Sequence, residues 1–118
     1  MKSFNRNQIT LYGTSDLLEW IKSVEPKLKN WTLETLNNRP SAYMIEVEDQ
    51  NCHGLVLKEY FNTIIKNELC NNLYINKDLW PQDITYDLFL KWFTYQYHEE
   101  VFDLCSKELK AYEEEIDT

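Results

Sequence analysis

A chain of 118 residues, 43% hydrophobic and 27% charged, has the size and composition of one globular domain that buries a core without a disulfide or metal staple. Its formal charge of −8 repels nucleic acid and anionic membrane surfaces, and suits either solubility or a basic protein partner. Two glycines and three prolines leave no flexible linker and no glycine-rich phosphate loop, and no apolar run approaches the ~18 residues of a membrane span.

The charge is uneven. Residues 1–31 are net basic, whereas residues 99–118 hold Glu99, Glu100, Asp103, Glu108, Glu113, Glu114, Glu115 and Asp117 against Lys107 and Lys110. No apolar stretch follows Lys2 and Arg6, so no signal peptide is expected. Cys52, Cys70 and Cys105 are odd in number and widely spaced, which fits free thiols and a cytoplasmic location.

In chain order, residues 1–7 are polar and expected to be loose. Gln8 to Tyr12 alternates apolar and polar and reads as a short strand closed by Gly13. Thr14-Ser15-Asp16 supplies cap candidates for a helix whose Leu17, Leu18, Trp20, Ile21 and Val24 share a face, and Pro26 ends it. Residues 31–36 and 41–48 read as strands around the turn Asn37-Asn38-Arg39-Pro40, although Thr32-Leu-Glu-Thr-Leu would also make one helical turn. In the second strand Tyr43, Ile45 and Val47 point one way, and Ala42, Met44, Glu46 and Glu48 the other.

Leu55 to Leu73 reads as an amphipathic helix, with Leu57, Tyr60, Phe61, Ile64, Ile65 and Leu69 on one arc. A connector containing Pro81 leads to a cap at Asp83 or Thr85 and a last helical segment running toward Tyr112. Eight of the chain's seventeen aromatic residues fall between Trp80 and Phe102. At 100° per residue, the polar side of residues 84–97 (Asp87, Lys91, Thr94) lies opposite that of residues 99–110. The segment is therefore expected to bend or break near Tyr97-His98-Glu99, or to pack its halves on different surfaces. The expected fold is α+β, a single domain over residues 1–118 with residues 1–7 and 113–118 loose. It holds about three antiparallel strands with helices on one face, in the order β-α-β-β-α-α.

No catalytic, cofactor or metal motif is present, and none of these groups is expected. Glu68 is anomalous because it falls within the apolar arc of its helix, where a carboxylate needs a partner or a proton, and Arg39 is a candidate partner. His98 has no second ligand at helical spacing, so the Glu99 and Asp103 beside it read as a solvated helical face. Cys52-His53 precedes a helix, whose N-terminus lowers a thiol's pKa, but sequence neighbours usually point apart.

The principal functional expectation is a non-enzymatic protein-interaction module. It would bind a basic protein through Tyr95, Glu99, Glu100 and Asp103, by electrostatic steering followed by aromatic anchoring. It is comparable to inhibitors and immunity proteins in charge and size alone. One alternative is a small hydrolase or metal-dependent enzyme using Glu68, His98 or Cys52, which requires at least two of them to converge. Another is a homodimer joined through the aromatic helix.

Overall fold

The computed structural model describes residues 1–116. Asp117 and Thr118, part of the C-terminal stretch expected to be loose, lie outside the described residues. The architecture is α+β: helices cover one face of a three-stranded antiparallel sheet, and a second, two-stranded ladder pairs residues 2–3 with residues 102–103.

The central strand is β2 (Asn7–Gly13), flanked by β3 (Ser41–Ile45) and β4 (Phe93–His98). Its alternation is real: Ile9 and Leu11 are buried, while Gln8, Thr10 and Tyr12 turn to the opposite face. Ile9 pairs with Tyr43 and Tyr97, and Leu11 with Ser41 and Tyr95, so the odd-numbered positions of all three strands share the inner face. Val47 lies inward beyond the end of β3, and Ala42, Met44, Glu46 and Glu48 lie outward, as their alternation requires.

Helix α1 (Ser15–Val24) buries Leu17 and Ile21 and stops at Glu25, the residue before Pro26. Its N-cap, Thr14, is used across the fold: the amide donates to the Trp92 carbonyl at 2.9 Å and the hydroxyl to the Lys91 carbonyl at 2.7 Å. The first correction to the expected order follows. Residues 31–36 are not a strand; Leu33–Leu36 forms one helical turn, α2. Thr32 and Thr35 make a reciprocal capping box, with the Thr35 amide donating to Thr32 Oγ1 at 3.2 Å and the Thr32 amide to Thr35 Oγ1 at 3.4 Å. The turn needs no ladder partner, and Asn37 just beyond it borrows one with its side chain. Gly13 N donates to Asn37 Oδ1 at 2.7 Å, and Asn37 Nδ2 donates back to the Gly13 carbonyl at 2.9 Å.

Helix α3 (His53–Asn67) lays Leu57, Ile64 and Ile65 on the sheet, whereas Tyr60, expected on that arc, is exposed. It continues as a π-helical turn, Glu68–Asn72. The end is closed by Ile75 N donating to the Leu69 carbonyl at 2.9 Å, with Tyr74 between them in the left-handed region at φ 54°.

The second correction concerns the aromatic segment. Helix α4 (Tyr86–Trp92), capped by Thr85, ends at Trp92, and the chain passes directly into β4. No helix runs on to Tyr112. Phe93-Thr-Tyr-Gln-Tyr-His alternates with period two, which suits a strand pairing with β2, and residues 99–110 form no helix, so their polar side follows no helical face. The aromatic residues are mostly core: Phe89, Trp92 and Phe93 are buried, and Trp20 packs against Trp92 at 4.7 Å with the rings tilted by 37°. The polar tips of the others find partners. Trp80 Nε1 donates to the Ile75 carbonyl at 2.9 Å, and the Tyr97 hydroxyl bonds Gln50. The aromatic helix of the homodimer alternative is thus confined to Tyr86–Trp92, where Phe89 and Trp92 are buried.

Short strands β1 (Lys2–Ser3) and β5 (Phe102–Asp103) pair antiparallel, and Asn7 is buried, so part of the stretch expected to be loose is held. Among the described residues no helix is long and apolar enough to cross a membrane.

Left-handed backbone costs a non-glycine residue roughly 1–2 kcal/mol, and the Tyr74 ring is 81% exposed, so it recovers little by packing. Tyr74→Gly is expected to raise the unfolding free energy by up to about 1 kcal/mol in urea titrations, after the extra chain entropy of glycine is subtracted. A fall in stability would show that the exposed ring carries a contact of its own.

Candidate functional site

Glu68 sits one turn beyond Ile64 and beside Leu69, on the buried side of its helix, and the residue is only 9% exposed. The sequence anomaly is thus a true burial and not a carboxylate at a solvent edge. Ser41 and Tyr43 occupy odd positions of β3 and face the same interior, while Asn72 follows Glu68 by four residues on the π-helical turn.

These elements converge on the carboxylate with donors. The Ser41 hydroxyl donates to Oε1 at 3.1 Å, and the Tyr43 hydroxyl and Asn72 Nδ2 donate to Oε2, the latter at 2.6 Å. Asn72 Nδ2 also donates to Ser41 Oγ at 2.6 Å, and Asn67 Nδ2 to Tyr43 Oη at 2.9 Å. Each hydroxyl receives a hydrogen from an amide and passes its own to Glu68, the polarity an ionised carboxylate needs. Asn71 extends the chain, donating to Asn67 Oδ1 at 2.8 Å and to the carbonyl of Glu115 at 3.2 Å. Burial pushes the Glu68 carboxyl above its ordinary range, and the bonds from Tyr43, Ser41 and Asn72 pull it back only in part. Burial, reinforced by the charge of Glu68, also raises the Tyr43 phenol, which keeps its proton and remains a donor.

A cavity of about 340 Å³ opens onto this group. Glu68, Ser41 and Asn72 provide its polar end, and Trp31 and Phe93 are among its walls. Arg39 lines it too, but as an exposed side chain at the rim. The expected meeting of Arg39 and Glu68 does not occur; the ion pair formed among the described residues joins Arg6 to Glu46 at 3.1 Å.

The acidic residues expected to form a contact face lie elsewhere and on different structure. With no helix there, Glu99 and Asp103 share no helical face. Glu99 and Glu100 are exposed in the loop after β4, and Asp103 pairs opposite Lys2 while its Oδ1 caps the Cys105 amide at 2.8 Å. Tyr95 does not flank them. It turns inward from β4 and meets His53 Nδ1 at 3.0 Å through its hydroxyl, and burial raises its phenol. Beyond β5, residues 104–116 follow no regular structure and expose Leu104, Leu109 and Tyr112.

The three groups of the enzymatic alternative do not converge. Cys52 precedes α3 and Glu68 follows its 15 residues, a separation of about 22 Å along the axis. His98 lies on the outer sheet face, bonded to Thr10 at 2.9 Å. The bond to Asp49 at 3.5 Å and the charge of that carboxylate push the Cys52 thiol up. His53, its neighbour in sequence, stacks instead on Tyr97 at 4.5 Å. Among the described residues no group of three His, Cys, Asp or Glu could hold a metal ion.

The sequence pointed to Glu68 and Arg39 but not to Ser41, Tyr43, Asn67 or Asn72. A faint signal existed in the four-residue spacing of Glu68 and Asn72, but the strand contribution depends on tertiary register. No protein-family model, curated protein or solved structure matches this chain.

Because the folded pKa of Glu68 exceeds that of the unfolded chain, its protonated form favours the fold. The stabilisation is complete below the ordinary value of 4.5 and is lost as pH rises through the raised folded value. Glu68→Gln removes this dependence. The stability of the wild type relative to Glu68→Gln, read by urea titration at a series of pH values, is expected to fall as pH rises from 4.5. A difference that is flat or that grows with pH would contradict a raised pKa.

Proposed function

We propose that the chain is a non-catalytic, cytoplasmic protein-binding module whose partner is a basic protein. The observation that carries this reading is the exposed C-terminal stretch from Glu99 onward. It combines Glu99, Glu100, Asp103, Glu108 and Glu113 to Glu115 with exposed Phe102, Leu104, Leu109 and Tyr112. Apolar side chains this exposed gain by being covered, and the carboxylates around them select a cationic surface to cover them. Beyond β5, residues 104–116 hold no regular structure and can follow such a surface closely, at the cost of becoming ordered.

The contact acids remain Glu99, Glu100 and Asp103. The aromatic anchor assigned to Tyr95 passes to Phe102 and Tyr112, because Tyr95 is spent inside the fold on His53. The absence of convergence among Glu68, His98 and Cys52 weighs against the enzymatic alternative.

Tagged wild-type protein and the triple variant Glu99→Gln, Glu100→Gln, Asp103→Asn are to be compared for capture from native extract at low and high salt. The expected result is one stoichiometric basic protein, held by the wild type at low salt and released by high salt. Its association rate with the triple variant should fall by about 10-fold or more. Capture that is indifferent to salt and to these three substitutions, or a partner that is itself acidic, would overturn the reading.

A further inference from the structure

The cavity at Glu68 plays no part in the contacts assigned above. We propose that it receives one cationic side chain, the guanidinium of an arginine or the ammonium of a lysine, presented by the basic protein partner. The inference deepens the preceding reading and rests on it for the source of the cation.

Acceptor capacity is the first ground. An ionised carboxylate offers about four lone-pair sites. Oε2 takes Tyr43 and Asn72, whereas Oε1 takes Ser41 alone, which leaves Oε1 open to another donor. The missing countercharge is the second. A carboxylate this buried ordinarily has a cation, yet Arg39 lines the same cavity without pairing to it. A ligand cation completes the group with charge-assisted bonds.

The walls are the third ground. Leu11, Leu17, Leu36 and Leu73 suit the methylene stem of arginine or lysine, and Trp31 and Phe93 add aromatic faces. The volume, about 340 Å³, is at the lower end of ligand pockets and admits a single side chain, not a helix or strand. Location is the fourth. Asn71, next to the wall residue Asn72, holds the carbonyl of Glu115, so the acidic C-terminal stretch passes beside this corner of the molecule. A basic surface drawn to that stretch arrives beside the cavity.

Arg39 at the solvent-screened rim opposes any cation weakly, and this makes it diagnostic. Its removal should tighten binding of a cation and weaken binding of a zwitterion whose carboxylate it would hold.

The test is an NMR titration of the full chain with N-acetyl-arginine amide, N-acetyl-lysine amide and the neutral N-acetyl-citrulline amide. The Trp31 indole N–H and the Asn72 side-chain amide are followed. At least one cationic probe is expected to shift both signals saturably, with citrulline at least 10-fold weaker. Glu68→Gln should abolish the shifts, and Arg39→Gln should tighten binding a few-fold. The citrulline comparison uses wild-type protein and decides the matter even if Glu68→Gln fails to fold. Equal binding of citrulline, no saturable shift with either cation, or weaker binding by Arg39→Gln would each overturn the proposal. If the probes fail while the salt-sensitive partner is still captured, only the cavity assignment falls. If the probes bind while no basic protein is captured, the cation must come from a free amine or guanidine, and the assignment to a partner side chain is overturned.

Discussion

The pairing of β2 with β3 on one side and β4 on the other is the constraint on which the rest of this structure depends. The three strands are antiparallel, and their side chains alternate with period two, so a slip of one residue would exchange the inner and outer faces. With Ile9 and Leu11 inward, Tyr43 and Tyr95 must also point inward, and Thr10 and His98 outward. Helices α1, α3 and α4 then have one apolar surface to cover, and Phe89, Leu57 and Ile65 become fully buried beneath them.

The buried carboxylate depends on the same register. Ser41 and Tyr43 reach Glu68 because both occupy inward positions of β3, two residues apart and on the same face. A strand and the end of a helix thus meet around one charge, and the side chains of Asn67 and Asn72 orient the two hydroxyls toward it. An equivalent knot surrounds Asn7 at the other end of β2. Its Oδ1 accepts from the Val47 amide at 2.9 Å, and its Nδ2 donates to the Glu99 carbonyl at 2.8 Å. That knot fixes the point at which the acidic C-terminal stretch leaves the sheet, and so couples the packed body to the segment that remains exposed.

Two stretches show where local pattern and tertiary context part. Residues 31–36 carry both an alternating and a helical signal, and the Thr32–Thr35 capping box resolves them toward the helix because it satisfies backbone groups without a partner strand. Residues 93–98 show the opposite outcome. Their helical face looked acceptable after Tyr86 to Trp92, yet an open edge of β2 offered a complete ladder, and Phe93, Tyr95 and Tyr97 all gained inward positions by becoming a strand. The reversal of the polar side along the segment was the trace of this change, displaced by a few residues from Trp92, where the helix ends.

Period and punctuation along the chain by themselves determined the α+β class, the central strand β2, the helix ended by Pro26, the amphipathic helix that follows β3, the inward set of β3, and the anomaly of Glu68. Each of these follows from neighbours within a few residues, where the 2.0 and 3.6 periodicities and the refusal of proline to follow a helical residue act directly. Only the tertiary structure decided the conformation of the aromatic segment, the donors around Glu68, the cavity beside it, and the inward turn of Tyr95 away from the acids at 99–103. Apart from Asn72, the partners are distant: Ser41 and Tyr43 lie 27 and 25 positions from Glu68, and His53 lies 42 from Tyr95, so no local preference specifies which distant edge or hydroxyl will be waiting.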